Sequence, residues 1–411
     1  IGILILIAGS LIVPFIPNLI ANNDGIPNIG ALFYLAVIGT AVSYFFNYAR
    51  AFLIADQASW EDSKNRTIYR IIQTVAQIII LIGWQRFDLF LIVPIITTVL
   101  SNIRIARVAV KRAPYLTLKN IPSGILTKAD FNNIRGNIAG SFSSRIGYVL
   151  VNGTDNILIS KFIGLSVAGM YSSYLMLLQG INSILGQVHS SLIATIGSKA
   201  IKQNDQEKMT VLQVYLLINS LIVSFIGPAV IVFIQPFITV WVGHNLLLGL
   251  FTPLLLTVTF SLTQMRQPVL SMISGLGLFW EMRYKSFAEA GVNLIVSLVL
   301  LMQTSLGVNA VIIGTILSNL LVNTIWEPVI LFRKGVKIKP TAYIKNYIGY
   351  SVYLYISLGM SAVVAQHFTV LGVLKSIVIS VIVATASMLG LVLFSYRSKS
   401  FRILGDWVLK K

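Results

Sequence analysis

Ser141, Arg145, Asn152 and Asn156 are spaced by 4, 7 and 4 residues, which on a helix sets them along one face, with Tyr148 at its margin. Their segment, 134–160, is otherwise apolar. An arginine at the centre of such a helix costs about 2.5–3.5 kcal/mol on insertion scales, so it needs a partner or a task. The chemistry on offer is recognition of a polar anion. A guanidinium grips an oxyanion through paired donors, while amides and a phenol bond hydroxyls. The competing reading is a polar seam that only joins helices. A second arginine inside an apolar run, Arg266, stands in TQMRQPVL beside Gln264 and Gln267. Pro268 removes a helix hydrogen bond there and should bend the segment, as suits a cavity wall that opens and closes. Arg50 lies one turn from a segment end, where snorkelling to the interface competes with a binding role.

Two carboxylates and one imidazole complete the set. Asp155 sits in VNGTDN near a segment end, where it could bind a coupling cation, pair with an arginine, or cap the interface. Glu289 falls in the first turns of its helix, where the dipole favours a carboxylate whatever its role. His189 is a proton-relay candidate against a packing histidine. Gating is assigned to Asp155, Glu289 and Pro268. Anion and hydroxyl binding is assigned to Arg145, Arg266, Arg50, Asn152, Asn156, Tyr148 and Gln264.

The elements that must position these groups are membrane helices. Hydrophobic residues make up 56% of the 411, charged ones 11%, and mean hydropathy is +0.84; soluble chains carry roughly a quarter charged residues. Twelve apolar runs of about 20 residues are legible. They lie at 1–20, 30–54, 67–84, 89–109, 134–160, 165–197, 209–234, 247–277, 286–302, 307–331, 343–366 and 370–395. The fold class is all-α and polytopic; a barrel would need short alternating strands. Lysines and arginines concentrate on alternate connections, 26 of the 31, which puts both chain ends in the cytoplasm by the positive-inside rule. The net charge of +18 is then a topology signal, and nucleic acid is excluded as a partner because no soluble basic face with interleaved aromatics exists.

Enzymatic classes find little support. There is no cysteine, the histidines 189, 244 and 367 are too scattered for metal spacing, and Gly-Lys, HExxH and GxSxG are absent. No metal and no cofactor is expected. Opposite-side loops are too short for an outer catalytic domain, the longest being about ANNDGIPNIG at 21–30.

The chain also repeats itself. TVLSNI at 98–103 returns as TILSNL at 315–320, an offset of 217 that also carries Arg66 onto Arg283. With small gaps, PFI at 14–16 answers 236–238, Trp60-Glu61 answers Trp280-Glu281, and Arg50 falls near Arg266. Two halves in the same orientation explain this, a common transporter design. The TxLSN phrases themselves are read as packing. The second half begins near Phe131, so the first should start before Ile1, and two helices of a fourteen-helix protein are expected to precede this chain. The predicted organisation is a four-helix part of the first lobe at 1–110, a basic inter-lobe loop at 111–133, a six-helix lobe at 134–332, and a helix pair with a basic tail at 333–411. Lys111, Arg112, Lys119, Lys128 and Arg135 make that loop a binder of membrane headgroups.

YARAFLIADQ at 48–57, VNGTDNILISKFIGLSVAGMYSSYL at 151–175, and EAGVNLIVSLVL, GTILSNLL and WEP between 289 and 328 resemble the polysaccharide flippases of capsule, exopolysaccharide and O-antigen pathways, within the multidrug, oligosaccharidyl-lipid and polysaccharide exporter superfamily. The resemblance implies two lobes around a central cavity in a bacterial cytoplasmic membrane. It implies an undecaprenyl-pyrophosphate oligosaccharide as cargo, membrane lipids as surroundings, and polysaccharide polymerase and export machinery as partners. Two other classes stay open: a multidrug cation antiporter of the same fold, which would want buried carboxylates, and a membrane glycan polymerase or ligase.

Overall fold

The computed structural model describes residues 2–16, 29–45, 47–56, 58–113, 146, 149–150, 153–200, 204–367 and 372–409. Contacts divide the chain into two compact units, Ile1–Lys128 and Ala129–Lys411.

In the first unit the described helices are α1 (Gly2–Ile12), α2 (Ile29–Ser43), α3 (Asn47–Ala55), α4 (Ser59–Gly83) and α5 (Phe87–Arg112). The run read as one segment at 30–54 is two helices bent at their junction. The physical reason lies in α5. Asn102 donates to the carbonyls of Val42 (3.2 Å) and Phe45 (2.9 Å), binding oxygens at the end of α2 that a continuing helix would have used. The next helix, α4, starts at Ser59 instead of near 67, so the loop expected around Lys64 and Arg66 is helical. Glu61 and Asp62 in its first turn complement the helix dipole.

In the second unit a helical stretch at 153–162, here α6, is followed by α7 (Leu165–Ala200), α8 (Asp205–Trp241), α9 (Phe251–Met265), α10 (Gln267–Gly275), α11 (Lys285–Gln303) and α12 (Val308–Ser318). Then come a π-helical turn at Asn319–Asn323, α13 (Thr324–Ile330), a second π turn at Leu331–Gly335, α14 (Thr341–His367), α15 (Val373–Ser395) and α16 (Lys399–Leu409). The middle of this unit is α8, which packs against α9, α14 and α15. Its start is set by a capping box: Asn204 Oδ1 accepts from the Glu207 N–H (2.9 Å) and Glu207 Oε2 accepts from the Asn204 N–H (3.3 Å).

The solvent for these helices is read from α15. It buries Ser376, Ser380 and Ser387 and turns Leu374, Ile382 and Leu393 outward. In water that arrangement would expose the wrong face; between lipid chains, small polar residues are the ones that seat helix against helix. Seven described helical spans, with Val308–Gly335 counted as one, are each long and apolar enough to cross a membrane, and the bent α2–α3 pair would make an eighth. Most of the expected span at 134–160 lies outside the described residues, and the one at 247–277 is divided at Arg266.

Candidate functional site

The break at Arg266 positions the richest polar cluster. Arg266 closes α9 and opens α10, with Pro268 in the first turn of α10, where its missing N–H costs nothing. The side chain is buried, 7% exposed, and reaches across to Glu327 on α13. Nε donates to Glu327 Oε2 at 3.0 Å and Nη2 to Oε1, a forked pair, while Nη1 donates to Asn319 Oδ1. Glu327 is fully buried, and its Oε1 also accepts from Lys285 Nζ at 3.1 Å. Lys285 pairs in turn with Glu289 Oε2 at 3.1 Å. Asn323 Nδ2 closes the ring by donating to Glu289 Oε1 (2.5 Å) and Asn319 Oδ1 (3.0 Å).

Two cations and two carboxylates make this ring neutral, as a charge cluster inside an apolar bundle must be to persist. Its backbone is equally unusual. Asn319, Asn323 and Glu327 recur every four residues, and the first two bound a π turn. Pro328 follows Glu327 inside the helix, so the N–H that would bind the carbonyl of Thr324 is missing and the turns beside it are loosened. A broken helix and a π turn thus flank the same ring.

The first unit carries a counterpart. Arg50 on α3 is buried and donates to Asp62, to Ser101 Oγ at 3.0 Å and to Asn102 Oδ1 at 2.9 Å. Its guanidinium is enclosed and does not snorkel. Asp62 also accepts from Arg66 Nε (2.8 Å), and Asn65 donates to Ser101 Oγ (2.8 Å). Asn102 and Asn319 are the asparagines of the two TxLSN phrases, and each accepts from the arginine of its own unit. The phrases expected only to pack helices hold the arginines.

Asp155 on α6 is buried and its Oδ2 accepts from Thr315 Oγ1 on α12 at 2.9 Å, so it bridges two helices. Asn293 Nδ2 donates to the same hydroxyl at 2.9 Å. Asp155 Oδ1, Asn293 Oδ1 and Asn156 Oδ1 are buried acceptors with no hydrogen-bond partner among the described residues. Gln264 belongs to a different chain of bonds: its Nε2 donates to Asn182 (2.6 Å), its Oε1 meets His189 Nε2 (3.1 Å), and His189 Nδ1 meets the Tyr215 hydroxyl (2.5 Å). Arg145, Tyr148 and Asn152 lie outside the described residues. The structure therefore brings Arg266 and Glu289 into one ring, with Pro268 in the helix turn that follows Arg266, sets Arg50 in a cluster of the first unit, and holds Asp155 with Asn156 on α6. Sequence reasoning passed over Glu327, Lys285 and Asn323 as site residues and read Asn319 as packing; the available signal was the four-residue spacing that runs from Asn319 to the Glu of WEP.

No family model matches the chain, and no curated protein does. A solved structure described as "Crystal structure of MATE in the bent conformation" is similar at 15% identity, covering 90% of this chain and 78% of that one, with a TM-score of 0.49.

Proposed function

We propose that this polytopic membrane protein is an exporter of the lipid-linked oligosaccharide class, moving a polyprenyl-pyrophosphate oligosaccharide between leaflets for cell-surface polysaccharide synthesis. The observation that carries the reading is the neutral ring of Arg266, Glu327, Lys285 and Glu289 at a broken helix within the apolar second unit. Buried ionisable groups beside interrupted helices are the general signature of a transport pathway. A bundle that only packs would be more stable with apolar residues there. The sequence resemblance supplies the cargo class. In this reading the pyrophosphate meets Arg266 and Lys285 and takes over bonds that Glu327 holds in the unloaded protein. The joint at Arg266 and the π turns let helix segments rotate during that exchange.

The test is complementation of a strain lacking its polysaccharide flippase, using the complete gene at matched membrane abundance. Arg266→Lys keeps the charge but loses the fork, and is expected to restore less than a tenth of the surface polysaccharide while lipid-linked oligosaccharide accumulates inside. Full restoration by that variant would remove the ring from the pathway.

Cation antiport is the second reading, favoured by one observation: Asp155 is a buried carboxylate whose Oδ1 has no hydrogen-bond partner among the described residues. The two readings combine if that position couples cation entry to export. Sodium- or proton-dependent transport that is lost in Asp155→Asn supports the combination; export unaffected by that change leaves Asp155 a helix bridge.

A further inference from the structure

The outer face of the same span carries a groove that the ring does not use. It has a volume of about 470 Å³ and runs along the helix from Leu321 through Ile325 and Val329 to Arg333 and Lys334, with Trp326 on its wall and Glu281 on its rim. Leu321, Ile325 and Val329 are each more than two-fifths exposed and four residues apart, so they form one apolar strip. Arg333 and Lys334 end the strip, both exposed, and neither makes an ion pair with a carboxylate among the described residues. The buried cations described above, Arg50, Arg266 and Lys285, each pair with a carboxylate.

The height of the charged end is marked by aromatic rings. Trp280 and Tyr284, which flank Glu281 in sequence, are both exposed, and Arg283 lies 4.1 Å from the Trp280 ring centre and 4.6 Å from that of Tyr284. Exposed tryptophan and tyrosine with arginine over their faces belong at the level of lipid headgroups. An occupant must then be apolar over about three turns of helix and anionic at one end.

We propose that this groove is a binding site for an anionic phospholipid, with acyl chain along Leu321, Ile325 and Val329 and phosphate on Arg333 and Lys334. Glu281 tempers it, leaving one net positive charge on the lining. At the usual attraction per basic residue near a membrane surface, one net charge gives roughly a five-fold preference over a zwitterionic lipid, and two give about thirty-fold.

Trp326 is a built-in reporter. In the full chain with the other five tryptophans changed to phenylalanine, reconstituted in phosphatidylcholine vesicles, fluorescence quenching by chain-brominated phosphatidylglycerol is compared with quenching by chain-brominated phosphatidylcholine. The expected preference is about five-fold for the anionic lipid. It should rise toward thirty-fold in Glu281→Gln and invert, to about five-fold for the zwitterionic lipid, in Arg333→Gln/Lys334→Gln, where Glu281 is left alone. Because the first variant is a gain, misfolding cannot mimic it. Equal quenching by both lipids overturns the proposal. So does displacement by a trace of polyprenyl pyrophosphate but not by excess unbrominated phosphatidylglycerol, which would assign the groove to the cargo lipid. Absence of quenching by any lipid would mean that protein, such as a second copy, covers the face.

Discussion

Glu327→Leu should be among the most destabilising single changes in the second unit, and the reason is charge balance. The carboxylate accepts two bonds from Arg266 and one from Lys285 with no exposure to solvent. Polar contacts between membrane helices average well under 1 kcal/mol, because the unfolded helices find other partners. That low figure does not apply to a carboxylate whose removal strands a cation. With Glu327 gone, two cations face Glu289 alone, and breaking a buried ion pair on one side costs about 3–5 kcal/mol. For a unit of this size the apparent melting midpoint should fall by about 10 °C. Arg266→Met strands the opposite charge and should cost a similar amount. Arg266→Met/Glu327→Leu leaves Lys285 paired with Glu289 and the site neutral. The double variant should therefore be no less stable than either single variant, which requires a coupling energy of at least about 3 kcal/mol in the cycle. The assay is unfolding in mixed micelles with rising SDS, read by tryptophan fluorescence and checked by thermal melting. Additive single effects would refute the pairing.

Three further outcomes follow from the geometry. Arg50→Gln should cost about 1–3 kcal/mol, less than Asp62→Leu, because Asp62 keeps Arg66 when Arg50 is removed whereas Arg50 keeps no carboxylate when Asp62 is removed; the same SDS titration ranks the two. Gly314→Ala would place a methyl group 2.1 Å from Ser297 Oγ and 3.1 Å from the Ser297 backbone nitrogen, so α11 and α12 must part. A loss of about 1–3 kcal/mol is expected, with Ser297→Gly restoring only part of it because the backbone contact stays. Tyr174→Phe removes a donor to Gln235 (2.9 Å) and an acceptor for the Leu248 N–H (3.2 Å), which should lower stability by about 1–2 kcal/mol without altering transport.

The all-helical, membrane-crossing architecture was legible because apolar runs and charge asymmetry are local signals that the bilayer enforces. Boundaries were less so where a tertiary contact decides them. The division of 30–54 depends on Asn102, far along the chain, taking carbonyls at the end of α2. The duplication was legible as words; what the words do was not. Asn102 and Asn319 looked like packing residues because nothing in a linear reading says which arginine they face. Arg266 was found from its cost in an apolar run, yet its carboxylate was missed. Glu327 lies in WEP, next to a proline and near a segment end, where a charge looks cheap. Its partners, Arg266 and Lys285, lie 61 and 42 positions back along the chain, so no local pattern pairs them. Asp155 was singled out correctly as notable, but its tie to Thr315 spans 160 positions and has no sequence signature.

The measurement that bears most directly on the proposed function is transbilayer movement in proteoliposomes made with the complete gene product. A polyprenyl-pyrophosphate oligosaccharide labelled on its sugar is followed by accessibility to a membrane-impermeant lectin, with a lipophilic cation as the competing substrate. The account predicts movement of the lipid-linked sugar. It also predicts at least ten-fold slower movement in Arg266→Lys under conditions where SDS titration shows the variant folded, and no inhibition by the cation. Transport of the cation, with the lipid-linked sugar left in its original leaflet, would contradict it.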